Sequence, residues 1–269
     1  MKKFFTLFLT VVLGTMVLFA DNEPALPLIA IDGDFEDWGA LNPASFASAS
    51  TNENAVYKSL YNIKFTSDAN YIYFYFEFSS GTYEAIDHSI GDDVMEFEIM
   101  LDVDGDVSTG LNAWQWNPSG VDYMISTTVV NQFEDAALYT HTTGWNWYPT
   151  GAYEFFLTSA VQTLGNGHYA LEGSIKRSWL PIMQSLKVGV MTANTHWSAS
   201  GVLPQISFNL EGGSDILQPM LNVPLYQDPS SIMNTASVQG CKPQKLLRNG
   251  NVYILTEDKT YTLTGQEVK

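Results

Sequence analysis

Apolar and polar residues alternate with a period of two along most of this chain, the signature of strands that turn one face toward a core. Between Val94 and Leu101, Met95, Phe97, Ile99 and Leu101 fall on one side and Val94, Glu96, Glu98 and Met100 on the other. Upstream, Leu60, Asn62, Lys64 and Thr66 alternate with Tyr61, Ile63 and Phe65. After a turn at Ser67 to Asn70 comes YIYFYFEF, Tyr71 to Phe78, so dense in aromatics that it predicts a central strand covered on both faces. Further strands are predicted at Val121 to Val130, Phe133 to Thr140, Tyr153 to Leu157, Val161 to Leu164, Tyr169 to Ile175 and Val188 to Thr192, each closed by Gly, Asn, Asp or Pro. Asn166-Gly167 suits a hairpin corner, because both residues tolerate positive φ. Only Lys176 to Gln184 hints at a helical turn, and Pro181 keeps it short. Short strands, frequent turns and almost no helix predict an all-β fold, an antiparallel sandwich or barrel.

The pattern weakens at both ends. Residues 21–28 read as an unstructured leader interrupted by Pro24 and Pro27. In IDGDFEDWGAL, Ile31 to Leu41, a turn at Gly33 throws Phe35 and Trp38 onto one hydrophobic face; it reads as a clamp, with Trp38 assigned to the core. Residues 21–211 then form the sandwich domain. Residues 212–243 carry Gly212, Gly213, Pro219, Pro224, Pro229, Gly240 and Pro243 and read as a linker or loose extension. The last stretch, 244–269, predicts a small β-hairpin or meander turned at Asn249-Gly250 and at Glu257 to Lys259.

Charge and cysteine content narrow the setting. Lys2 and Lys3 precede an uncharged apolar run from Phe4 to Ala20, the layout of a signal peptide over residues 1–20. An uncleaved anchor is the alternative, since Leu18 is an imperfect residue three places before the cut. Cleavage leaves 10 basic residues against 29 acidic ones, a net charge of −19, which repels nucleic acid and anionic lipid. The mature chain is therefore expected to be exported, with neither nucleic acid nor membrane as partner. Cys241 is the single cysteine, so no intrachain disulfide forms and stability must come from an apolar core.

The strand at Val94 to Leu101 delivers an acidic loop, DVDGDVSTG. Asp102, Asp104 and Asp106 recur at every second residue, and Gly105 and Gly110 allow the backbone to curl them toward one point. Crowded carboxylates call for a hard, oxygen-seeking cation, and calcium is the expected cofactor, with Thr109 and backbone carbonyls near Val107 as further ligands. The loop is not an EF-hand: counting from Asp102, Val107 and Ala113 stand where that motif needs Gly and Glu. The alternative is a solvated acidic turn without metal.

Aromatic residues supply the other candidate chemistry. Sugar rings present apolar CH faces that stack on flat side chains, while their hydroxyls seek carboxylates and amides. Trp114 and Trp116 alternate with Gln115 and Asn117 just after the acidic loop. GWNWYPTG, Gly144 to Gly151, places Trp145, Trp147 and Tyr148 in an expected loop or loop edge, and Trp197 sits in a third such place. Packing of any one of them in the core is the competing fate. No catalytic constellation is visible: His88, His141, His168 and His196 are scattered, and the Glu96/Glu98 pair reads as structural rather than as a glycosidase pair.

Several of these segments, in this order, resemble family 9 carbohydrate-binding modules and the related DOMON-like sandwiches: IDGDFEDW, the aromatic strand, DDVMEFEIMLD with its acidic loop, GVDYMI, ALEGSIKRSWL and VGVMTAN. The similarity spans Ile29 to Asn209. It implies a two-sheet antiparallel jelly roll, a calcium site and a polysaccharide or glycan as ligand, in a non-catalytic module. A structural or adhesive surface protein without glycan affinity is the alternative. Some DOMON-like domains hold haem through methionine and histidine, and here Met95, Met100, Met124 and Met191 fall within predicted strands. The last 25 or so residues are similar to C-terminal sorting segments of Bacteroidetes-type proteins exported by type IX secretion. That likeness implies secretion machinery as a partner for the C-terminus, and a place outside a Gram-negative cell or on its surface.

Overall fold

The computed structural model describes residues 28–79, 95–129, 133–151, 155–182, 185–193 and 198–226, and the backbone of four short strands after 243. The expected signal peptide lies outside the described residues, as do Trp197, His88 and His196. Among those described, no helix is long and apolar enough to cross a membrane.

The fold is the expected all-β sandwich of two antiparallel sheets. In chain order the strands are β1 (Ala47–Ser50), β2 (Leu60–Ser67), β3 (Tyr71–Ser79), β4 (Met95–Asp102), β5 (Tyr123–Val129), β6 (Phe133–Thr143), β7 (Asn146–Gly151), β8 (Phe156–Thr158), β9 (Gln162–Gly165), β10 (His168–Lys176), β11 (Lys187–Ala193) and β12 (Ala199–Leu203). Short pairs follow: β13 (Ile206–Ser207) with β14 (Ile216–Leu217), and β15 (Leu221–Asn222) on β11. One sheet runs β1-β2-β3-β10-β8, with β9 also on β10; the other runs β12-β11-β4-β5-β6-β7. Between them lies the main core, in which Phe74, Phe76 and Phe78 of β3 meet Phe97, Ile99 and Leu101 of β4. The rings of Phe76 and Phe97 stack 5.6 Å apart across the layer.

The tyrosines of β3 face the other way. Tyr73 and Tyr75 are covered by the clamp at Ile31 to Leu41, where a short helix α1 (Glu36–Ala40) buries Trp38 beside Tyr75 and Ala170. Gly33, at φ +84°, makes the hook that lets this segment fold back. Glu172 of β10 fixes it: one carboxylate oxygen accepts from the amides of Asp32 (3.2 Å) and Gly33 (2.9 Å), the other from Trp38 Nε1 (3.0 Å). Both faces of β3 are thereby covered, as its aromatic density predicted.

Two expectations are corrected. GWNWYPTG is a loop only at its start: Gly144 and Trp145 make the turn, while Asn146–Gly151 is the edge strand β7, paired with β6. Alternation of Trp147 and Tyr148 gives strand geometry once β6 offers a ladder, despite Pro149, which an edge strand tolerates. Nor is the stretch after 211 a loose linker throughout, because β15 pairs with β11 while Met220 and Val223 are buried in the cores. Its prolines punctuate the path without keeping it off the sandwich. At the far end, β16 (Gln244–Arg248), β17 (Asn251–Leu255), β18 (Thr260–Thr262) and β19 (Glu267–Val268) form an antiparallel meander in sequential order.

Candidate functional site

The acidic corner grows out of the end of β4. Pairing of Leu101 with Tyr123 in the β4–β5 register brings Asp122, the residue before β5, beside Asp102. Carboxylate oxygens of Asp102, Asp104 and Asp122 all lie within 4.8 Å of one another. Asp102 is fully buried; its oxygens accept from the Gly105 amide (2.7 Å) and from Lys187 Nζ (2.8 Å). Asp122 accepts from the Val103 amide at 3.0 Å, and Asp104 from the Asp106 amide (2.7 Å) and Thr109 Oγ1 (3.1 Å). Burial pushes the Asp122 carboxyl up from its ordinary value, and the charges of Asp104 and Asp102 add to that. The loop closes on itself where Leu111 bridges Val121, and Gly110 (φ +68°) leaves no room for a Cβ, which would lie 2.6 Å from the Val121 carbonyl.

Of the expected ligands, Asp102 and Asp104 converge and Asp106 does not. Asp106 turns outward and accepts from the amide (2.9 Å) and hydroxyl (2.6 Å) of Ser108, which hold its carboxyl below the usual range. Thr109 bonds to Asp104 and to the Asp106 carbonyl (2.8 Å). Asp122 replaces Asp106 in the cluster. The donor set is all oxygen, and three carboxylates against one Lys187 ammonium leave a local charge of −2, so the residues fit a hard divalent ion in chemistry and in charge.

The second constellation covers the outer face of the β12-to-β7 sheet. Here Met100, Met124, Met191 and Val202 form an apolar layer roofed by Leu111, Ala113, Trp116, Ile206 and Met220, so three of the methionines considered for haem are packing residues. Trp116 is 1% exposed; it donates from Nε1 to the Pro204 carbonyl at 3.0 Å and lies over Gly189. That fate removes it from any ligand platform. Trp114, 45% exposed, stands edge-on to Tyr57 at 6.0 Å. Across the face, Tyr139 and half-buried Trp147 pack against the same layer, with the Trp147 ring 5.4 Å from His141. Trp145, in the turn, and Tyr148, 66% exposed, are open to water.

The β4 carboxylates lie on the same face of the sheet as this layer. The register sets Glu98 opposite Met191 on one side and Ser126 on the other, and Glu96 opposite Ala193 and Thr128. Glu98 is 4% exposed. Burial first, and then the Glu96 charge, push its carboxyl up to about 7; burial also raises Glu96. Fully buried Gln115 donates to the Met191 sulfur at 3.2 Å, leaving its own carbonyl oxygen without a partner. Glu96 Oε2 is likewise buried and unpartnered. Sequence alone treated Glu96 and Glu98 as structural or as support for the cation's ligands, and named Gln115 only as a neighbour of Trp114 and Trp116; the readable signal was two glutamates on the face opposite Phe97 and Ile99.

No family model matches the chain, and a search of curated proteins finds no match.

Proposed function

We propose that this protein is a secreted, non-catalytic carbohydrate-binding module whose acidic corner holds calcium. The observation that carries the reading is the outer face of the β12-to-β7 sheet, which carries buried polar groups that lack partners together with exposed Trp114 and half-buried Trp147. Flat rings at Trp114 and Trp147 offer stacking surfaces, and Glu96, Glu98 and Gln115 on the same face offer acceptors for hydroxyl or amine donors. With the usual spacing between strands, β12 to β7 spans on the order of 24 Å, room for more than one sugar ring. Calcium would sit among Asp102, Asp104 and Asp122, neutralising the corner and tying the start of the loop to β5. Export through residues 1–20 and a sorting role for 244–269 place the module at or beyond the outer surface of a Gram-negative cell, with the secretion machinery as the tail's partner.

The test is a glycan array followed by titration of any polysaccharide that binds. Trp114→Ala and Trp147→Ala are expected to weaken binding at least tenfold each, in line with roughly 1–3 kcal/mol for a lost stacking ring, taking base–aromatic stacking as the nearest measured analogue. Trp116→Ala should instead lower the melting temperature, since it removes a core side chain. Absence of binding to every glycan by the parent protein would leave a structural or adhesive surface role in its place.

A further inference from the structure

Among the described residues, the polar atoms left without partners around Glu96, Glu98 and Gln115 are all acceptors. Gln115 donates from Nε2 to the Met191 sulfur and keeps a free carbonyl oxygen; Glu96 Oε2 is buried with no partner; and no described residue hydrogen-bonds Glu98. Met191 links two of them, since it lies directly opposite Glu98 in the β11–β4 register and touches Gln115, while Glu96 stands two residues from Glu98 on the same face of β4, close enough for its charge to act on Glu98. Among the described residues no lysine or arginine balances the pair as Lys187 balances Asp102: the strand neighbours Met191, Ala193, Ser126 and Thr128 are uncharged. A buried acceptor without a donor forfeits the hydrogen bonds it made to water, and the loss is greater when it is charged. Such a loss invites a ligand that brings donors and positive charge.

We infer that this group of unpartnered acceptors takes a protonated amine, held by Glu96, Glu98 and the Gln115 carbonyl, so that the glycan of choice carries free amino groups. The inference rests on the glycan reading for the sugar, though not for the amine. An ammonium group presents three donors and one charge, matching two carboxylates and an amide oxygen. The neighbouring side chains favour an organic cation over a metal ion: Met191 lies opposite Glu98, and Met100 and Met124 continue the same apolar layer, a surface that suits CH groups. Half-buried Glu96, Ser126 and Thr128 form the side open to solvent, and Glu98 lies deeper. The raised Glu98 carboxyl agrees with a site where negative charge goes uncompensated until a cation arrives.

Calorimetric titration with calcium held constant at pH 6 decides the matter, using glucosamine oligomers, N-acetylglucosamine oligomers of equal length, cello-oligosaccharides and 1,4-diaminobutane. The deacetylated oligomer is expected to bind at least tenfold tighter than the acetylated one. Glu98→Gln and, nearer the solvent, Glu96→Gln should each erase that preference while retaining the parent's circular dichroism. Equal affinity for acetylated and deacetylated oligomers, or an unchanged preference in both variants, overturns the inference and leaves the glycan reading standing if the neutral sugars bind. Glu98-dependent binding of diaminobutane with no glycan bound at all upholds the amine site and removes the sugar. Displacement of the amine by added calcium, lost in Glu96→Gln, would mark a metal site and overturn it.

Discussion

Glu98 and Trp38 are both buried on strand or helix faces directed away from the main core, and they differ in whether their polar atoms are matched. Trp38 Nε1 meets Glu172, so the clamp closes with its donors satisfied, whereas Glu98 is buried beside Glu96 with no donor among the described residues. The consequence is a pH dependence. A glutamate whose ordinary value is 4.5 and whose folded value is about 7 keeps its proton better in the fold than in the unfolded chain. Its contribution to stability is complete below the unfolded value and is lost as pH rises through about 7, amounting to on the order of 3 kcal/mol. In the absence of ligand, the melting temperature of the parent should fall from pH 5 to pH 8 more steeply than that of Glu98→Gln. Parallel slopes would show that Glu98 ionises as it does in water. The identity of these residues was plain in the sequence; that Glu98 would be buried was not, because Met191, opposite it on β11, and Gln115, which bonds Met191, are 93 and 17 positions further on.

At the scale of elements, β4 shows how far periodicity reaches. The alternation of Phe97, Ile99 and Leu101 against Glu96, Glu98 and Met100 gave the right faces, and the half-buried strand it predicts would be correct if the outer face met water. Instead the connection between β4 and β5 folds back and lays Trp116 across β11. Gly189 is what admits it: a Cβ there would lie 2.5 Å from the Trp116 ring. Gly189→Ala should therefore destabilise the fold by about 1–3 kcal/mol, the usual range for overpacking, read by urea unfolding. A neutral outcome would mean that the roof is loosely held. The same blindness explains β7. Strand pairing partners are chosen in three dimensions, so tryptophans beside glycines read as a loop until β6 is known to lie alongside.

For the whole molecule, stability rests on an apolar double layer and on how one acidic corner is neutralised. A divalent ion present at 100 times its dissociation constant stabilises by about 2.7 kcal/mol, which for a domain of this size moves the melting temperature by on the order of 5–10 °C. Chelation should produce that drop; Asp104→Ala and Asp122→Ala should lower the melting temperature and abolish the chelator's effect, while Asp106→Ala should leave both nearly unchanged. A chelator without effect on the parent removes the ion from the account. Alternation of side chains, turn residues and the scarcity of helix signals settled the class of fold by themselves, because a period of two needs nothing beyond neighbours along the chain. The choice of Asp122 over Asp106, the burial of Trp116 and the assembly of Glu96, Glu98 and Gln115 came only with the tertiary structure, since each depends on strand register and on a loop folding over a sheet.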